Sequence, residues 1–319
     1  MSEVRIGTLG QFFPPAPTWT ARDVPDQTGK TVIITGGNGG IGKETARVLL
    51  SKGAKVYIAS RSEHKSQQAI EELKRDTGKD AVFFIKLDLA DLVSVKAAAE
   101  DFIRRESQLH ALYNNGGVFA LIDKCTSQGY DMQFGTNVLG HFYFTKLLLP
   151  LLSATAKNSP PRSVRVINVS SFGHEMAPPG GIQWSTLRPG DDCLAVGKKV
   201  GATPLYGQSK LGNIYFSNEL ARRYGDEGIV SVSLHPGSII TDLSRHSSIF
   251  MKLFIWLVSY PVSYGAITSL YAGTAPAAGD LNGKYLTAFA RVSLPNEKAL
   301  NPGLEKKLWE WCEEQVEGI

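Results

Sequence analysis

Apolar and polar positions along this chain alternate in blocks, and the period changes from block to block. Residues 30–35 (KTVIIT) form a short β-branched, apolar run, which predicts a strand buried on both faces. A glycine cluster stops it. Over 41–52 the apolar residues Ala46, Leu49 and Leu50 fall at helical spacing, and Gly53 closes the helix before the next strand at 54–59. The same alternation predicts a charged helix at 66–76, a strand at 81–86, a helix at 92–105 and a strand at 111–113. A longer helix at 133–152 follows, then strands at 163–169 and 228–234 with a helix at 206–224 between them, and a short late strand at 283–287. At 304–316 Leu308, Trp309 and Trp311 make one apolar stripe on an otherwise charged helix.

Strands and helices taking turns over most of a chain predict an α/β architecture: one doubly wound parallel sheet between two layers of helices, joined by right-handed crossovers. Ligands of such sheets bind at the carboxyl ends of the strands. The chain divides into an N-terminal arm, 1–28, and a single domain, 29–319, whose irregular stretches at 172–205 and 242–265 are read as substrate loops.

Composition narrows the classes. With 319 residues, 43% of them hydrophobic and 20% charged, the chain can bury a full core, so disordered and collagen-like classes drop out. The net charge of +4 is small and its basic residues are dispersed, which excludes a phosphate-tracking stripe and makes nucleic acid an unexpected partner. Cys125, Cys193 and Cys312 are far apart, with no ligand spacing near them, which argues against both a disulfide framework and a metal site and points to a reducing, cytoplasmic setting. The N-terminal residues have no apolar stretch of signal-peptide length. The most apolar run, 249–260 (IFMKLFIWLVSY), is broken by Lys252 and falls short of the roughly 20 residues that span a bilayer. It leaves two readings open: a lid packed on the core, or a peripheral contact with a membrane or lipid droplet.

The candidate chemistry begins at Thr35-Gly36-Gly37-Asn38-Gly39-Gly40-Ile41-Gly42-Lys43, placed between the first strand and the first helix. A dinucleotide pyrophosphate there would meet backbone N–H groups and a positive dipole end, and glycine permits its close approach. About 20 residues on, where an NAD-selective site places a carboxylate on the ribose 2′-hydroxyl, the chain has Ala59-Ser60-Arg61. Arg61 and the Ser60 hydroxyl suit a 2′-phosphate, so NADP is favoured over NAD; the competing reading is a surface arginine. Tyr206 and Lys210 are four apart in a predicted helix and therefore share a face. A phenol is a poor base near neutrality, and a neighbouring ammonium is expected to lower its pKa.

Together these residues resemble the short-chain dehydrogenase/reductase family, whose TGxxxGxG is matched by Thr35, Gly36, Gly40 and Gly42, and whose YxxxK is matched by Tyr206 and Lys210. The resemblance runs from about 30 to 243 and takes in Asp88-Leu89, Asn114-Asn115-Gly116-Gly117, Asn137, Ser170-Ser171 and His235-Pro236-Gly237. A small departure falls at Gly117, where the family more often has the alanine-glycine of NNAG. The long span from Ser171 to Tyr206, with Pro178-Pro179-Gly180-Gly181 and Trp184, resembles the retinol dehydrogenase-like branch.

The resemblance implies a Rossmann fold and NADP(H)-dependent interconversion of a small-molecule carbonyl, aldehyde or ketone, with an alcohol, the substrate being lipophilic or aromatic. It implies that Gly36, Asn38, Gly40, Ile41 and Gly42 cradle the cofactor, with Ser60 and Arg61 at the 2′-phosphate. Asp88 and Leu89 would hold the adenine side, Asn114, Asn115 and Gly116 the ribose, and Pro236, Gly237, Ile239 and Thr241 the nicotinamide half. Ser171 would bond the substrate oxygen, Tyr206 pass the proton, Lys210 bind the ribose and tune the phenol, and Asn137 hold a water linking Lys210 to solvent. The pro-S hydride of the cofactor would be the one transferred, and a homo-oligomer is common in the family. His174 and His235 read as loop-bonding groups, His141 as packing, and Cys193 as unactivated. Two rivals stand beside this reading: a non-catalytic NADP-binding regulator or scaffold, and an extended-type epimerase or dehydratase.

Overall fold

The computed structural model describes residues 4–119, 122–239 and 260–319, the side chains of 191–193 excepted. Eight strands, β1 (Thr31–Thr35), β2 (Lys55–Ser60), β3 (Val82–Lys86), β4 (Ala111–Asn114), β5 (Val164–Val169), β6 (Ile229–Leu234), β7 (Tyr285–Thr287) and β8 (Arg291–Ser293), form one sheet in the order β3-β2-β1-β4-β5-β6-β7-β8. β1 has parallel neighbours on both sides, β2 and β4, so the winding reverses there.

The sheet is parallel as expected, except at its last strand. β8 pairs antiparallel to β7, with Tyr285 opposite Ser293. Only residues 288–290 separate these strands, and a parallel partner would need a crossover of a dozen or more residues.

Helices α2 (Gly40–Ser51), α3 (Glu63–Thr77) and α9 (Val262–Thr274) cover one face; α4 (Leu92–Arg105), α6 (Gly140–Lys157), α8 (Ala202–Tyr224) and α10 (Pro302–Gln315) cover the other. Successive strand residues supply the two cores in turn: Val32 and Ile34 pack with α2, while Ile33 packs with α4 and α6. The remaining helices are α1 (Thr8–Phe12), α5 (Met132–Phe134) and α7 (Asp191–Val200).

The irregular stretches hold more structure than periodicity shows. The arm carries α1 and a 3₁₀ turn at Ala21–Asp23, and the Trp19 ring meets Tyr271 of α9 edge-on at 5.3 Å. The stretch 172–205 contains 3₁₀ turns at Phe172–Met176 and Trp184–Leu187 besides α7. α9 begins inside the stretch read as a loop to 265.

Candidate active site

β1 delivers the chain to the glycine turn and α2 takes it away. Inside the turn there is no spare volume: a Cβ on Gly42 would lie 2.5 Å from the Gly36 carbonyl oxygen and 2.6 Å from Asn115 Nδ2. Outside there is room, since a Cβ on Gly39 or Gly40 would meet nothing within 4 Å. The α2 N-cap, Gly39, offers no side-chain acceptor to the first turn. Free N–H donors at a helix start beside open space fit the pyrophosphate of a dinucleotide.

Thr35 ties this turn to the loop after β4. Its Oγ1 accepts the backbone N–H groups of Asn115 at 3.0 Å and Gly116 at 2.8 Å, and Asn115 Nδ2 donates to the Thr35 carbonyl at 2.9 Å. The Thr35 hydroxyl proton points to His141 Nε2 at 2.8 Å, because His141 Nδ1 lies 3.0 Å from the Asn137 carbonyl and must be the donor there. Burial pushes the His141 pKa down to about 4, so the ring is neutral near pH 7. His141, read from the sequence as packing, is therefore a two-sided hydrogen-bond bridge. Its position four residues after Asn137 is the signal that periodicity alone leaves unread.

Other expected cofactor residues are placed unevenly. Arg61 is exposed and has no acidic partner among the described residues. The Ser60 hydroxyl is buried and lies 2.6 Å from Ser66 Oγ, which itself donates to the Ser62 carbonyl. The hydroxyl is thus paired with the start of α3 in this structure. Asn114 Nδ2 donates to Thr145 Oγ1 at 3.0 Å and to Asn168 Oδ1 at 2.9 Å, so Asn114 ties β4 to β5 and α6. Asp88 Oδ1 accepts the Ala90 N–H, and Leu89 is buried behind it. Pro236 is buried and Gly237 adopts φ 103°, beyond the end of β6. Ile41 and Ile239 converge on Gly265 of α9, where a Cβ would be 2.9 Å from each, a contact that no motif announces. Thr241 and the run 249–259 lie outside the described residues.

The helix expected at 133–152 is interrupted: Gly135–Leu139 is a π turn, and the Gly140 N–H reaches back to the Gly135 carbonyl. Asn137 sits in this turn, fully buried. Its side chain clamps the strand end opposite, accepting the Val118 N–H at 2.8 Å and donating to the Val118 carbonyl and to Ser209 Oγ at 3.0 Å each. Ser209 precedes Lys210 on α8, so one amide joins the π turn, the loop after β4 and the Tyr206–Lys210 helix.

Tyr206 is 8% exposed. The Phe119 ring meets it edge-on at 5.1 Å, and Gly173 lies against its other side, where a Cβ would be 2.7 Å from Tyr206 Cε1. Lys210 Nζ is 5.7 Å from the phenol ring centre and donates to the Val169 carbonyl at 3.0 Å. Burial pushes the Tyr206 pKa up to about 12, with the Ser171 hydroxyl pulling the other way, and pushes Lys210 down to about 8. The expectation that the ammonium lowers the phenol is corrected for the protein alone: desolvation dominates both groups.

Ser171 caps the 3₁₀ turn Phe172–Met176, its Oγ accepting the Gly173 N–H at 3.0 Å. His174 Nδ1 donates to the Ser171 carbonyl at 2.7 Å, and Nε2 accepts the Asn296 N–H at 3.1 Å. Both His174 nitrogens are thereby engaged, and burial holds its pKa low. His235 is also buried, which pushes its pKa down to about 3. Neither imidazole is a free base. Phe119, Gly173, Ser209 and Asn296 carry no motif and emerge only from the folded chain.

The short chain dehydrogenase family profile matches residues 30–186. A short-chain dehydrogenase/reductase of Armillaria gallica is 51% identical over 308 residues, covering 96% of each chain. Human Retinol dehydrogenase 11 is 38% identical over 286 residues, 88% of this chain and 84% of that one. Among solved structures, an uncharacterized protein from Mycobacterium Paratuberculosis has a TM-score of 0.68 at 29% identity, covering 93% of this chain and 97% of that one.

Proposed function

Since the chain belongs to the short-chain dehydrogenase/reductase family, we propose that it is an NADP(H)-dependent oxidoreductase interconverting an apolar aldehyde or ketone with its alcohol. One observation carries this reading: Tyr206 is buried between Phe119 and Gly173, with the Ser171 hydroxyl lowering its pKa and Lys210 beneath its ring. When bound, the reduced nicotinamide supplies the hydride that the carbonyl carbon accepts.

The protein's own groups handle the oxygen. Ser171 and Tyr206 donate to it, and a phenol with its pKa near 12 is protonated at neutral pH, ready to release its proton as negative charge builds on the substrate. Donors fixed in advance and shielded from water stabilise that charge without reorganising. Lys210, held by the Val169 carbonyl, brings a positive charge to the ribose side of the tyrosine. Asn137 keeps the π turn, Val118 and Ser209 in register, so its part is to position Lys210's helix.

Arg61, exposed after β2 with no carboxylate opposing it among the described residues, favours a 2′-phosphate. Phe119, edge-on to Tyr206, and Phe172, next to Ser171 in the chain, favour an apolar skeleton. The name of the human relative, a retinol dehydrogenase, agrees with an apolar alcohol. Retention of Asn137, Ser171, Tyr206 and Lys210 together weighs against a non-catalytic scaffold. The test is absorbance loss of NADPH, and of NADH in parallel, with a panel of aldehydes and ketones. NADPH oxidation with at least one apolar carbonyl is expected; no turnover of any with either cofactor overturns the reading.

A further inference from the structure

The N-terminal arm is fastened where Ser171 is held. Arg5 Nη2 donates to both oxygens of Glu175, at 2.8 and 2.7 Å. The Ile6 N–H donates to Ser293 Oγ at 3.0 Å, and Arg291 Nη2 donates to the Gly10 carbonyl at 2.7 Å. The Phe12 ring meets Phe172 edge-on, with centres 4.9 Å apart. Phe172 directly follows Ser171, and Glu175 shares its 3₁₀ turn. The arm therefore lies along β8 and over the turn that follows the carboxyl end of β5, on the side of the sheet where ligands bind.

We propose that this arm forms one wall of the substrate site, with Phe12 and Phe172 as an aromatic rim that selects bulky, apolar carbonyl compounds. The inference rests on the carbonyl-reducing reading above and adds the origin of its selectivity. A carbonyl oxygen bound to Ser171 and Tyr206 leaves the rest of the molecule extending outward, and the turn after Ser171 is the first surface on that side. That surface is greasy: Phe13 is 58% exposed, Leu9 78% and Met176 43%. Covering these side chains removes apolar area from water, and an aryl skeleton adds ring contacts with Phe12 and Phe172. A small polar carbonyl reaches none of them. The Arg5–Glu175 pair sets the position of the wall, and the His174 bond to the Ser171 carbonyl transmits it to the reacting serine.

The decisive experiment separates binding from turnover. 2-Naphthamide, an unreactive carbonyl compound, is titrated calorimetrically into the full chain with NADP⁺ present, for wild type, Phe12→Ala and Phe12→Tyr. Wild type is expected to bind it, Phe12→Ala to bind about tenfold more weakly, and Phe12→Tyr to recover most of the affinity. In parallel, KM for 2-naphthaldehyde with NADPH should rise about tenfold in Phe12→Ala, and KM for propanal far less. Absence of naphthamide binding by wild type, equal affinity in Phe12→Ala, or equal losses on both aldehydes overturns the proposal. Weakened naphthamide binding in the variant, with no carbonyl turned over by wild type, upholds the wall and sinks the assigned reaction instead.

Discussion

The two sides of the site are held by different means. On the dinucleotide side, Thr35 and His141 are 0% and 2% exposed, and each polar atom of the bridge has a neutral, buried partner. On the substrate side, the arm is held by Arg5, 43% exposed, paired with Glu175, and by ring edges that solvent can reach. A buried network loses the full desolvation cost when one member goes, whereas an exposed ion pair is worth at most about 1 kcal/mol. Groups that must serve every turnover sit where replacement is costly; groups that choose the substrate sit where replacement is cheap.

Tyr206→Phe strikes the seam between the sides and should have the largest effect. Removing its proton is expected to lower kcat by on the order of a hundredfold or more, with dinucleotide affinity by fluorescence titration little changed. A comparable loss of dinucleotide binding would mean that the sides are not separable. Arg61→Glu probes an exposed point of the dinucleotide side. It should cut the preference for NADPH over NADH, read as a ratio of kcat/KM, by roughly ten- to a hundredfold.

His141→Leu should weaken dinucleotide binding by about tenfold, since Thr35 keeps only the longer bond to the Tyr113 carbonyl at 3.3 Å and the loop after β4 loosens. Glu175→Gln, on the other side, should leave dinucleotide affinity alone; matching losses would erase the contrast. Lys210 is charged below its pKa of about 8 and neutral above it, so reduction should fall as pH rises through that value. The limb should slope by at most about one decade per unit, and in Lys210→Arg it should vanish from this range. The smallest effect belongs to Arg5→Ala, expected to cost less than about 1 kcal/mol of stability by thermal melt.

Much of the dinucleotide side is legible in the linear chain because it is local. β1, the glycine turn and α2 follow one another within residues 31–51, and each leaves a periodicity or a spacing. The π turn is silent, since Gly135-Thr136-Asn137-Val138-Leu139 keeps a helical look while its hydrogen bonds shift by one residue. β8 is only three residues long, too short to show alternation. The direction of the Tyr206 shift was hidden for another reason: a sequence displays the ammonium one helical turn away but not the dry surroundings of both groups. The hydroxyl of Ser60 turns to a partner in the next helix that spacing does not single out. The arm's docking joins Arg5 to Glu175, 170 positions apart, and neither carries a motif.

Gly173 limits what can change beside the phenol. With Tyr206 Cε1 2.7 Å from where its side chain would begin, this position and the phenol can be inherited only as a couple. A descendant that has drifted from enzyme to mere nucleotide carrier would be released from that bond, and a branched residue at 173 would arrive together with the displacement or loss of the tyrosine.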